Sequence, residues 1–551
     1  MLNWFVLMLA QSFAMGVQPI TVSGEVLSLE GEPVPLAQVA LVAEPPFGKG
    51  ETVYLQTRCN ERGQFRFQLP RPMNMAAFVL ARQKGYGLGW TKIALTNSAK
   101  CVIRLNRPAI LSGKLFPPSP QRCLTVKSLR PLGLFNLKLL PFQLRDVSLD
   151  FLQAQTDENG NFALNDLPEN CVAILELNEP PCRFELPILE GLTLTLPPTC
   201  LIVGRVVRRS DGEPLEKSEV VLKPVANLHE NSLLKATPIE IRTFTDAKGQ
   251  FQANVPEGEW LIWLPAKGDA EWVSIPQVLK LKANEVKTVT VQAQRPAIVR
   301  GWVADVKTRF PITSLFVHAQ LIKSANYPSP KFPIFSEVAQ QLPEGAYELR
   351  LPDGVWELKV ADEGWESESV VAELVEGAVL EAPWIFVRPF AKVKVFVADE
   401  HGRPTKALLA DSDGKIGETD EKGFAEWQVP SERKILLVAS SIDRNFWASM
   451  SLTAEQSEGM LKLREGVKIS GIVVNASGQT EADALVTLLA KFQSQNQAIC
   501  LLSERTSFNG RFQFTVPSDA SIQLQVLKGG KFVQTGWVAP QSFGFVKLVL
   551  K

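Results

Sequence analysis

Histidine is nearly missing from this chain: His229, His318 and His401 are the three in 551 residues. They lie far apart and no His-Glu-x-x-His occurs, so zinc hydrolysis has no ligand set. Cysteine is sparse as well, seven residues without a Cys-x-x-Cys, which excludes a disulfide-dense scaffold and disfavours tetrahedral zinc. In an exported chain the first six could pair, and Cys123, Cys171, Cys182 and Cys200 alone allow three connectivities; reduced, buried thiols are the other reading. No sign of charge is in excess, with 58 Lys and Arg against 58 Asp and Glu. Nothing therefore draws the chain to nucleic acid, which needs a basic excess. Past the first residues no run is long and uncharged enough to span a bilayer. Gly-x-Ser-x-Gly and the Gly-x-x-x-x-Gly-Lys-Ser/Thr phosphate cradle are absent too. No cofactor is expected, and the acids are spread along the chain, most of them as solvated surface groups.

What is present begins with an apolar segment, Leu2 to Ala10, followed by Ser12-Phe13-Ala14. Residues 1–16 read as a short signal peptide, although no Lys or Arg precedes the apolar run. The expected location is accordingly exported: periplasmic, cell-surface or extracellular.

The rest is repetitive. A Gly, an aromatic, and a Pro about seven residues after the Gly recur as Gly63-Phe65-Pro70, Gly249-Phe251-Pro256, Gly345-Tyr347-Pro352 and Gly510-Phe512-Pro517. Two copies deviate: Gly160-Phe162 reaches Pro168 one residue late, and Gly423 has its aromatic immediately after it, at Phe424. Asp157, Asp246 and Asp420 stand three residues before their Gly in Thr-Asp-x-x-Gly, where a carboxylate can cap the turn. Strict alternation follows, as in Phe251, Ala253, Val255, which is the period of a half-buried strand. About 40 residues upstream lies an apolar-x-Gly-x-apolar strand: Gly24, Gly113, Gly204, Gly301 and Gly471, with Val395 in place of Gly in the fifth copy. Six repeats of short strands and turns, with almost no helical periodicity, predict an all-β array of six seven-stranded sandwiches. Pro-containing junctions divide it into residues 17–107, 108–198, 199–295, 296–388, 389–465 and 466–551. Such short, stiff links make neighbours touch, and a linear, semi-rigid rod is expected.

The ordered set of motifs resembles the carboxypeptidase regulatory-like family, with its transthyretin-like, prealbumin-like sandwich. Gly204, Gly212, Pro214, Thr245, Asp246, Gly249, Phe251, Pro256, Gly258 and Trp260 carry nearly the whole pattern in the third unit. The resemblance implies a fold grouped with carbohydrate-binding-like sandwiches. It implies no peptidase activity, since the family's motif residues are structural and no catalytic domain accompanies them.

Asp411-Ser-Asp413-Gly414 and Asp157-Glu-Asn159-Gly160-Asn161 look faintly like calcium loops but lack the Glu at the twelfth position, and turns are expected. Among the twelve Trp residues, Trp260, Trp356 and Trp427 fall in the inward register of their strands and belong to cores. Trp263 and Trp302 have the opposite parity. An outward indole can stack on a sugar ring or a peptide, or pack between units three and four. These two are the candidate ligand-binding residues. The expected function is display, spacing or adhesion by a non-enzymatic chain, with a carbohydrate, a peptide or an envelope protein as partner. Two rival readings are an accessory subunit using Phe532, Phe543 and Phe545 as an apolar face, and a hydrolase with a site at a domain junction. For the latter, Leu228–Lys235 and Lys323–Ser336 are the longest departures from the repeat, and neither concentrates acids.

Overall fold

The computed structural model describes residues 19–44, 52–73, 75–133, 142–144, 147–225, 236–266, 270–313, 315–323, 336–342, 346–360, 364–492, 498–528 and 531–550. The expected signal segment, Leu228–Lys235 and nearly all of Lys323–Ser336 lie outside them. Within the described residues the chain forms twelve sheets, two to a sandwich.

The first repeat shows the plan. Strand Ile20–Leu27 pairs antiparallel with Gln64–Leu69 and parallel with Ala99–Arg104. A second sheet places Gln38–Ala43 between Val53–Arg58 and Ala76–Arg82, with Gly89–Ala94 beyond. Val22, Val39, Leu41, Phe67, Val79 and Ile103 from the two sheets fill one core. The third repeat builds its three-stranded sheet the same way, from Thr199–Arg208, Gln250–Pro256 and Val286–Ala293. So does the sixth, from Val467–Asn475, Arg511–Val516 and Phe545–Leu550.

Both sequence signatures have a packing cause. The Gly of the opening strand lies opposite the aromatic of the hairpin strand: Gly24 with Phe65, Gly204 with Phe251, Gly301 with Tyr347, Gly471 with Phe512. The ring covers the Gly, and a Cβ on Gly204 would sit 1.9 Å from the ring carbon of Phe251. In the fifth repeat Val395 faces Ala425, and the displaced Phe424 pairs with Phe396 on the outside. The missing Gly and the shifted aromatic are one change. The turn before the hairpin strand is equally regular in the second, third and fifth repeats. Asp246 Oδ1 accepts from the N–H groups of Lys248 and Gln250, both at 2.8 Å, and Asp157 and Asp420 do the same in their turns. The preceding Thr245 is buried; its hydroxyl accepts from Ser218 N–H at 2.9 Å and donates to the Leu215 carbonyl at 2.6 Å. Thr156, Thr419 and Thr506 repeat that staple, whereas Cys59 takes the place in the first repeat.

The sandwiches associate in twos through the outer faces of their larger sheets. Ala40, Val42, Leu80 and Trp90 of the first join the core of the second, and Trp90 meets Phe142 edge-on at 5.0 Å. Val221, Leu261 and Trp263 of the third join the fourth. Leu408, Ala410, Leu436, Val438 and Trp447 of the fifth join the sixth. Strands such as Ala407–Asp411 are consequently buried on both faces.

Nor does the chain run straight, and here the expected linear rod is corrected. Leu485 and Leu527 of the sixth sandwich are buried in the core of the second. The Cys500 thiol donates to the Leu132 carbonyl at 2.8 Å and Arg505 to the Ile188 carbonyl at 2.7 Å. Gly133 lies so close to Leu501 and Leu502 that a Cβ would approach their backbone to 2.8 Å. Apolar side chains of the sixth repeat find cover on the second, so the array folds back on itself.

Candidate ligand-binding face

The fourth sandwich carries a row of three outward aromatics, of which Trp384 is exposed and Trp302 and Phe386 are half-buried. Its opening strand, Ala297–Asp305, alternates buried Ala297, Val299, Gly301 and Val303 with outward Ile298, Arg300 and Trp302. Beside it, Ile385–Pro389 runs parallel, Val303 opposite Ile385. Ile385 and Val387 enter the core, so Trp384 and Phe386 must face the other way. Trp302 and Trp384 stand with ring centroids 6.0 Å apart and planes 32° from parallel. Trp384 and Phe386 follow at 6.5 Å and 38°. Trp384 is 42 % exposed, so part of the side chain is open to solvent.

A tight turn supplies a cation at the end of this row. Asp305 Oδ1 accepts from the N–H groups of Lys307 and Thr308 at 2.9 and 2.8 Å, and Arg309 takes a left-handed φ of 61°. The Arg309 guanidinium then lies 4.1 Å from the Phe386 ring centroid, a cation–π contact. The Asp305 carboxyl is held below its usual range, mainly by the Thr308 N–H bond. Next to the row, Arg300 bonds Glu348 at 3.0 Å and Glu348 accepts from Arg350 at 3.3 Å, so those charges are already engaged. The arrangement offers flat apolar ring faces, one flanking guanidinium and hydrogen-bonding neighbours, which suits stacking of a ring-bearing ligand.

The two residues singled out in the sequence separate. Trp302 is half-buried and belongs to the row. Trp263 has the outward parity expected of it, but it is 6 % exposed and packs among Val221, Leu261 and residues of the fourth sandwich. Burial in that junction removes it from any ligand surface. The reading missed Trp384 and Phe386. Their signal was the same as that of Trp302: aromatics alternating with Ile385 and Val387 on the wrong parity for a core.

The other readings resolve locally. Asp411 is buried; its Oδ1 accepts from Asp413 and Lys415 N–H and its Oδ2 from the Trp427 indole at 2.9 Å, while Asp413 is forked to Arg433. Burial pushes the Asp411 carboxyl above its ordinary value. These oxygens serve a turn. Among the described residues no group of three or more His, Cys, Asp or Glu is placed to hold a metal, and no helix is long and apolar enough to cross a membrane. All seven cysteines are free thiols, with burial raising Cys59 and Cys101 to about 11. In the last sandwich Phe532 and Phe545 are exposed, whereas Phe543 packs against the core.

No family model and no curated protein matches the chain, so the resemblance to the carboxypeptidase regulatory-like family rests on its motif residues. Among solved structures the chain is similar to the Bacillus anthracis TIE protein, at 13 % identity over 66 % of this chain and 73 % of that one, with a TM-score of 0.15. A streptococcal ancillary pilin shares 13 % identity over 50 % of this chain and 99 % of its own, TM-score 0.16. Two B repeat units of the Staphylococcus aureus collagen binding protein share 12 % identity over 68 % and 100 %, TM-score 0.14. Likeness at these TM-scores carries no argument about function.

Proposed function

We propose that this chain is a non-enzymatic, exported array of β-sandwiches acting in display or adhesion, and that it recognises a carbohydrate or peptide through the aromatic row of its fourth unit. The observation that carries the reading is the stack of Trp302, Trp384 and Phe386, with Trp384 42 % exposed on a sheet face. Three outward aromatics in sequence cost solvation unless they are covered in use. The non-enzymatic part is supported by the repeated polar residues, since the Thr and Asp of the three Thr-Asp turns are engaged by backbone groups. The accessory-subunit reading has less support, because one of its three phenylalanines is taken up by the core.

The test is a binding screen of residues 17–551 against neutral polysaccharides, peptidoglycan and peptides, with the Trp302→Ala/Trp384→Ala double variant alongside. A ligand found in the screen should lose affinity at least tenfold in the variant, the scale of one lost stacking contact at about 1.4 kcal/mol. A folded variant that binds every hit as the wild type does ends the proposal. No binding to anything leaves a structural spacer.

A further inference from the structure

A second surface, remote in sequence from the aromatic row, lies on the first sandwich and its junction with the second. Three clefts meet there, of about 830, 480 and 730 Å³, and Arg58 lines all of them. The first and second share Thr57 as well; the second and third share Gln38 and Arg82. Together they form one groove that crosses the end of strand Val53–Arg58 and continues to Asn165 and Asp166 of the second sandwich.

The lining chemistry is specific. Cations stand along the groove at Lys100 and Arg66, then Arg58, then Arg82 and Lys84. Arg82 is occupied, 3.6 Å from Asp166 and over the Phe151 ring at 5.7 Å. Arg66 makes a single long bond to the Thr21 hydroxyl at 3.4 Å. Arg58 is exposed and makes no hydrogen bond or ion pair with any described residue. Residues 17–107, moreover, hold 11 Lys and Arg against 6 Asp and Glu. Between the cations stand the amides of Gln38, Gln83 and Asn165, each without a described side-chain partner. An amide donates and accepts at once, which matches a hydroxyl. Glu25, Asp150 and Asp166 also line the groove, so a polymer with charges packed as closely as those of polyphosphate would meet repulsion. Carboxylates spaced one to a sugar ring, with hydroxyls between them, would meet less.

We propose that this groove binds an acidic polysaccharide, with Arg58 forking onto a uronate carboxylate and the Gln38, Gln83 and Asn165 amides bonding sugar hydroxyls. Guanidinium and carboxylate fit as a bidentate pair, and the site is independent of the aromatic row.

Calorimetric titration of residues 17–551 tests this with polygalacturonate, alginate, fully methyl-esterified polygalacturonate and inorganic polyphosphate. At least one polyuronate should bind, the ester at least tenfold more weakly than polygalacturonate if that is the one bound, and polyphosphate more weakly than the polyuronate. Arg58→Gln should weaken the polyuronate roughly tenfold, the scale of one charged hydrogen bond, with an unchanged melting temperature because the side chain holds nothing in the fold. The Trp302→Ala/Trp384→Ala variant should bind polyuronate as the wild type does. The proposal falls if neither polyuronate binds, if the ester matches the acid, or if polyphosphate binds as tightly. It also falls if R58Q is silent or the aromatic variant alone abolishes binding.

Discussion

The third and fifth sandwiches solve one packing problem in two ways. In the third, Gly204 makes room and the Phe251 ring fills it from the facing strand. In the fifth, Val395 fills its own space, Ala425 stands opposite, and the aromatic has moved one residue to Phe424, where it meets Phe396 at a centroid distance of 4.9 Å. The volume in the core is kept while its owner changes strands. A one-residue shift on a strand turns a side chain to the other face, so the same event that empties the inner position places an aromatic outside. The fourth sandwich reaches an aromatic exterior without that exchange: Tyr347 still covers Gly301, and Trp302 supplies the outer ring at the position equivalent to Phe396. Core and outer face can thus vary independently within one sandwich plan.

The largest effect should come from breaking this exchange. Gly204→Ala drives a methyl group into the Phe251 ring and should destabilise the third sandwich by about 3 kcal/mol, whereas Val395→Ala in the fifth should cost only the buried methyl groups, about 2 kcal/mol. Hydrogen exchange resolved by repeat would report each loss in its own unit. Partial rescue of Gly204→Ala by Phe251→Ala would confirm the ring as the cause, and equal tolerance at both sites would refute the comparison.

The turn staple should be indifferent to that difference. Thr245→Val and Thr419→Val each strand an N–H donor, that of half-buried Ser218 and that of buried Ala407, and both should cost about 1–2 kcal/mol in thermal melts. In the first sandwich Cys59→Thr should restore the missing staple and gain about 1 kcal/mol. A gain in the fifth unit on losing Thr419 would show that its turn has drifted along with its aromatic.

The smallest effect is a pH dependence in the second sandwich. The Asn161 amide, with the Asn161 and Asn159 N–H groups, holds the Asp157 carboxyl below its ordinary value. Its stabilisation is therefore complete above the unfolded value near 4 and is lost as pH falls through the lower folded value. Asp157→Asn should leave the melting temperature of the second sandwich flatter on the acid side. The first sandwich, with Asn60 at this position, is the built-in control.

The sandwich plan was legible because its determinants are local. Thr245, Asp246, Gly249 and Phe251 sit within seven residues, and each acts on its own turn or on the strand paired with it. Pairing between sandwiches was only half legible. Ile435 to Ala439 and Trp260 to Trp263 are apolar on both parities, the mark of a strand covered on both sides, yet nothing in them says which unit does the covering. The return of the sixth sandwich to the second was not legible at all. Arg505 and Ile188 are 317 positions apart, and no periodicity links residues whose only relation is that two finished surfaces fit. The aromatic row lay between these cases: Trp302, Trp384 and Phe386 all stand on the outward parity, but that they meet needed the parallel pairing of their strands to be known.

Association in twos has a consequence for how such a chain can change its length. Removing one sandwich would strip the cover from its mate's greasy outer sheet, where Leu408, Ala410, Leu436 and Val438 or Val221, Leu261 and Trp263 now lie hidden. Removing or duplicating a pair leaves each of these sheets with its mate, and only removal of the first pair would also uncover Leu485 and Leu527 of the sixth, which lie against the second. The smallest module that can be cut out, copied or transplanted is thus a double unit of roughly 180 residues, within the ordinary size of a single domain.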